Sequence, residues 1–190
     1  MEFKFEPEII NKLKKIPINE WGLLDNYDTN IMHNQMQFLA DILLKGQPRN
    51  ILEIGTNKGY FPYFASCICP KVEIDTVDVN PIANHGVLIL KGIGVNVNFY
   101  NSSSEDFFKT YNKQVDFAWI DGSHVYKDCL NDLLSCEKLK TSIICVDDFR
   151  SNDGVFKAVF DFYKASNYYL HSQSYIMDLR GIICFTKELL

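Results

Sequence analysis

Apolar positions along the chain follow two patterns. Thr29 to Leu44 carries Ile31, Gln35, Phe38, Leu39, Ile42 and Leu43 largely on one stripe and stops at Gly46 and Pro48, which predicts a helix; Glu6 to Lys15 is a second helical segment. From Asn50 onward, short strand-like runs take over: Asn50 to Ile54, Val72 to Asp78, Val95 to Tyr100, Val115 to Ile120 and Ser142 to Asp147, each followed by a helix-compatible stretch. That alternation predicts a parallel sheet wrapped by helices. After a helix over Val155 to Ser166, the runs Tyr168 to Ile176 and Gly181 to Lys187 flank the turn Met177-Asp178-Leu179-Arg180. Their spacing predicts an antiparallel hairpin closing an otherwise parallel sheet.

Local chemistry at the helix starts agrees. Asn80-Pro81 offers a cap followed by proline, Ser104-Glu105-Asp106 offers a cap with acids where the helix dipole favours them, and Pro62 sits where a first turn tolerates it. No repeat, low-complexity tract or linker interrupts the 190 residues. The expected organisation is an α/β, Rossmann-like doubly wound domain over residues 48–190, seven strands wide, with an N-terminal helical segment, residues 1–47, capping the substrate side.

Composition narrows the possibilities. Hydrophobic residues at 47% and charged residues at 23% exclude a disordered or collagen-like chain. A net charge of −5 argues against a nucleic-acid partner, which needs clustered Lys and Arg. No apolar run reaches membrane-spanning length and the first residues lack the order of a signal peptide, so a cytoplasmic protein is expected. The six cysteines form no CxxC pair and lie mostly in apolar segments, which predicts buried thiols.

The sharpest local signal is Ile51-Leu52-Glu53-Ile54-Gly55-Thr56-Asn57-Lys58-Gly59, a buried strand ending in an acid and followed by two glycines four apart that open a helix. Gly55 permits a tight turn and a close ligand; Gly59 lets the helix sit near the strand. The spacing is ExGxxxG, not the GxGxxG of a dinucleotide site. Asp78 ends the next strand, where a doubly wound fold presents an acid to ribose hydroxyls, although a turn-forming role before Asn80-Pro81 is the other reading. Together, Glu53, Gly55, Gly59 and Asp78 resemble the cofactor half of class I S-adenosylmethionine-dependent methyltransferases. The resemblance implies that Thr56 and Asn57 belong to the cofactor loop, with Tyr60 at its rim, and that Ser103 and Ser104, within Asn101 to Asp106, flank the adenine; a plain helix cap accounts for those serines equally well.

A second block runs from Val115-Asp116-Phe117-Ala118-Trp119-Ile120-Asp121-Gly122-Ser123-His124-Val125-Tyr126 to the later Val146-Asp147-Asp148. It is similar to the DxxxIDGxHxY and VDD signatures of small-molecule O-methyltransferases related to the sugar methyltransferases of macrolide and aminocoumarin biosynthesis, over roughly Asn50 to Asp148. Lys140-Thr141-Ser142 departs from the glycine-rich turn common in those relatives, a change expected to affect only a loop. The block brings Asp121, Asp147 and Asp148 to neighbouring strand ends. Three like charges there repel unless a cation sits between them, and oxygen ligands favour Mg²⁺ or Mn²⁺. Asp121 thereby has cofactor-binding, metal-binding and catalytic readings. His124 lies three residues beyond it, where related catechol-type enzymes place a basic catalytic residue, which implies a base for the substrate hydroxyl; a loop-bracing role is its alternative. The expected reaction is methyl transfer from S-adenosylmethionine to a hydroxyl on a small-molecule acceptor, with a homo-oligomer possible. A nucleotide-dependent oxidoreductase and a cofactor-binding module without turnover are the rival readings.

Overall fold

The computed structural model describes residues 29–173 and 181–188, and over them the alternation becomes a doubly wound sheet. Helix α1 (Thr29–Gly46) precedes β1 (Asn50–Ile54), α2 (Tyr60–Ile68), β2 (Glu73–Asp78), α3 (Ala83–Gly92) and β3 (Val97–Asn101). The second half follows as α4 (Ser104–Phe107), β4 (Phe117–Ile120), α5 (Tyr126–Lys138), β5 (Ile143–Val146), α6 (Asp153–Ala165), β6 (Tyr169–Gln173) and β7 (Ile183–Thr186). The strands lie in the order β3-β2-β1-β4-β5-β7-β6. Pairs among β1 to β5 are parallel, and β7 runs antiparallel to both β5 and β6, as the closing runs predict. The segment Glu6 to Lys15, most of the proposed cap and the turn Met177 to Arg180 lie outside the described residues. Among the described residues, no helix is long and apolar enough to cross a membrane.

Strand alternation divides the core between two faces. Ile51, Phe117, Trp119, Ile143 and Cys145 point to the face covered by α1, α2 and α3, where Leu39, Leu43, Phe64 and Leu90 are buried. Leu52, Ala118, Ile120, Ile144 and Val146 point the other way, against Leu133, Val159 and Phe162 of α5 and α6. Trp119 stacks on Phe61 at 5.2 Å and is core, as expected. None of the six cysteines is in a disulfide, and five are buried.

Two helix starts differ from expectation. Asn80 does not cap α3 directly: its Oδ1 accepts from the Ile82 amide at 3.0 Å and closes a turn, so the helix begins only at Ala83. The cap of α4 is Ser103, not Ser104; the Ser103 hydroxyl accepts from the Asp106 amide at 3.1 Å. Lys140 to Ser142 lie between α5 and β5, and Lys140 carries a conformational cost. Lys140, just past the Leu139 cap of α5, has φ at +59°, a left-handed geometry that suits glycine. Lys140→Gly is therefore expected to raise stability by about 1 kcal/mol, read as a higher thermal midpoint.

Candidate active site

Strand order reverses on the two sides of β1, and a crevice opens at the carboxyl ends of such strands because the flanking helices leave to opposite faces. Here it is a cleft of about 670 Å³. Gly55, Asn57, Asp78, Ser103, Ser104 and Asp121, all expected at the cofactor, line it. Glu53, Thr56 and Gly59 are not part of its lining.

Glu53 is only 2% exposed and accepts from the Thr76 hydroxyl, which also bonds the Thr56 hydroxyl at 2.6 Å. Burial pushes the Glu53 carboxyl well above the usual carboxylate range; Thr76 works against that shift, and Asp121 and Asp78 add to it. Glu53 thus belongs with Thr56 to a buried polar layer. Gly59 caps α2 in the left-handed region at φ +83°. Asp78, half-buried, accepts from the Asn57 amide at 2.9 Å through Oδ2 and from the Asn80 amide at 2.8 Å through Oδ1. These bonds fix its orientation, and each oxygen keeps a lone pair for a ligand hydroxyl.

Gly55 has a stricter reason to be glycine than ligand approach. At φ +96°, a Cβ there would stand 2.1 Å from the Asp121 carbonyl oxygen. The Asp121 amide meanwhile donates to the Ile54 carbonyl at 2.9 Å, so the ends of β1 and β4 are clamped together at the cleft.

Beside Asp121, the metal-capable group differs from the three carboxylates expected. Ligand atoms of Asp121, His124 and Asp148 all lie within 4.8 Å of one another, and Asp147 is outside this group. His124 Nε2 is 3.2 Å from Asp148 Oδ2. Asp148 has φ at +55°, which breaks the strand alternation just past β5, and Ser151 Oγ donates to its Oδ1 at 3.0 Å. The chain therefore turns the second aspartate of the pair toward the histidine loop.

That loop is fixed from below. Tyr126 donates from its hydroxyl to Asp161 of α6 at 2.9 Å, while Ser123 Oγ and Asp128 Oδ2 bond at 2.7 Å. Gly154, at the start of α6, passes so near that a Cβ would sit 2.3 Å from the His124 carbonyl oxygen. Sequence reasoning did not single out Gly154, nor Lys127, Asn131 and Leu134 of the cleft wall. The wall residues had a usable signal, since they follow the Asp121 to Tyr126 motif at helical spacing.

A family model described as a methyltransferase domain matches residues 52–160, more than half of the chain and the whole of this site. The chain belongs to that methyltransferase family. Solved structures agree in fold. An O-methyltransferase, TomG of Streptomyces achromogenes, involved in tomaymycin synthesis and solved with SAM, is 17% identical, with 97% of this chain and 92% of that one covered at a TM-score of 0.69. The Bacillus cereus O-methyltransferase solved with SAH is 16% identical, with coverages of 97% and 93% and a TM-score of 0.67. An N-methyltransferase, NodS of Bradyrhizobium japonicum, is also similar, at 14% identity, coverages of 84% and 97%, and a TM-score of 0.63. A search of curated proteins finds no significant match. The family sets this methyltransferase apart from the oxidoreductases considered as a rival.

Proposed function

We propose that this methyltransferase moves the sulfonium methyl group of S-adenosylmethionine to a hydroxyl of a small molecule (a sugar, polyol or phenol), assisted by a divalent ion, in the cytoplasm. The observation that carries this reading is the double position of Asp121, which lines the cleft and also belongs to the group with His124 and Asp148. A methyl donor in the cleft would thus abut a metal-capable site. The SAM and SAH held by the TomG and Bacillus cereus proteins support the choice of donor.

The residues present fit a divalent ion. Two carboxylates and one imidazole, with Asp121 and His124 exposed, leave open positions for water and substrate oxygens. Were the imidazole also a ligand, the preference would move from Mg²⁺ toward Mn²⁺ relative to oxygen ligands alone. When bound, such an ion would hold the acceptor oxygens and lower the pKa of the hydroxyl. The protein's own residues do the rest. Asp78 accepts from the ribose hydroxyls, Gly55 and Asn57 present backbone to the donor, and Ser103 and Ser104 wall the adenine side. Asp121 and Asp148 would hold the ion, and His124, 3.2 Å from Asp148, would take the proton of the hydroxyl. The distance of His124 Nε2 from Asp148 favours a second reading, in which the ring is itself a ligand.

Activity with a competent acceptor is expected to vanish in excess chelator and to return with Mg²⁺ or Mn²⁺, while calorimetric binding of S-adenosylhomocysteine largely survives. Full turnover by metal-free protein would overturn the metal assignment. Asp78→Ala is expected to weaken S-adenosylhomocysteine by about 1 to 3 kcal/mol through lost charge-assisted bonds; unchanged affinity would remove Asp78 from the donor site.

A further inference from the structure

Behind the cleft lies a buried acid that the reaction above does not use. Asp132, on the inward side of α5, is 1% exposed, and neither of its carboxylate oxygens has a hydrogen-bond partner in good geometry among the described residues. A buried carboxyl left in this state is costly, so its surroundings should explain it. From its own helix, Asp128, Cys129 and Cys136 face it; from the α4 side, the Ser104 hydroxyl does. The sheet beneath offers apolar side chains such as Ala118 and Ile120. Asp128 and Ser104 both line the cleft. Asp132 therefore stands one residue behind the wall that would flank the adenine.

We propose that Asp132 is a positioning residue for the cofactor: when ionised, its carboxylate draws the Ser104 hydroxyl inward and sets the Ser103 to Ser104 wall, so that cofactor binding favours loss of the Asp132 proton. The inference rests on the reading that the cleft takes S-adenosylmethionine. The neighbouring hydroxyls divide the work, because Ser103 is already engaged as the cap of α4. That leaves Ser104 to answer the carboxylate. Burial, the largest influence, pushes the Asp132 carboxyl up to about 7; the Ser104 hydroxyl opposes this and Asp128 adds to it. A group titrating there is roughly one-tenth ionised at pH 6 and nine-tenths at pH 8, so a ligand that selects the ionised form binds about tenfold tighter at pH 8.

The test is calorimetric titration of the full chain with S-adenosylhomocysteine at pH 6 and pH 8. Wild type is expected to gain about tenfold in affinity across that range, with a proton released on binding. Asp132→Asn keeps the shape but cannot ionise; it should bind more weakly than wild type does at pH 6 and show no gain between the two pH values. Ser104→Ala should lose the gain in the same way. Thermal melting controls for folding, and Asp132→Asn should melt no lower than wild type at pH 8, because it removes a buried charge. An Asp132→Asn protein that keeps the wild-type affinity and pH dependence would overturn the proposal and leave the cofactor assignment standing. A wild type that binds no S-adenosylhomocysteine at either pH would overturn the assignment and the proposal together.

Discussion

Gly55→Ala is expected to cost at least about 3 kcal/mol of stability and to weaken S-adenosylhomocysteine more than about a hundredfold. An added Cβ would meet backbone, the Asp121 carbonyl oxygen at 2.1 Å and its carbon at 2.6 Å, at a φ of +96° that alanine rarely adopts. Backbone cannot rotate away as a side chain can. Relief would require parting the ends of β1 and β4, which breaks the bond from the Asp121 amide to Ile54 and moves Asp121 off both the cleft and the metal-capable group. Gly59→Ala makes the control. There the added carbon would meet the flexible tip of Leu90 at 3.0 Å, at φ +83°, and a loss of only about 1 kcal/mol is expected. Thermal melting and calorimetry on both variants check the ranking; equal losses would show that the clamp between β1 and β4 is not what Gly55 serves.

His124→Gln is expected to lower the rate of methyl transfer by roughly 10²- to 10⁴-fold with the fold and S-adenosylhomocysteine affinity nearly unchanged. If His124 takes the proton, the loss should shrink as pH rises, because solvent then supplies more ionised hydroxyl without help. If the ring is a metal ligand instead, as its 3.2 Å approach to Asp148 permits, Mn²⁺ binding should weaken in parallel with the rate and added metal should restore activity. Rates measured across pH and Mn²⁺ concentration separate the two, and recovery with metal alone, without a pH response, would rule out the base.

The strands were legible because burial on both faces writes them as short apolar runs. Val72 to Asp78 became Glu73–Asp78, and Ser142 to Asp147 became Ile143–Val146. The cleft wall at Gly55 and Asp78 was legible for a related reason: both sit where strands end, and a strand end is readable from pattern alone. What escaped depends on contacts distant in sequence. Gly86 is needed because a Cβ there would stand 2.2 Å from the Lys58 carbonyl oxygen, and Gly154 because of His124; no local pattern records either approach. His124 joins Asp121 and Asp148 through a left-handed residue at Asp148, a conformation that the adjacent pair Asp147-Asp148 does not announce. Asp132 is one of several acids on its helix by sequence, and only packing decides that it faces inward.

The central claim is that the cleft between Gly55, Asp78 and Asp121 takes S-adenosylmethionine. Its most direct test is calorimetric titration of the wild-type chain with S-adenosylhomocysteine and, separately, with NAD. The account predicts one site for S-adenosylhomocysteine in the micromolar range, about 8 kcal/mol, and no heat from NAD. Binding of NAD with silence from S-adenosylhomocysteine would contradict it.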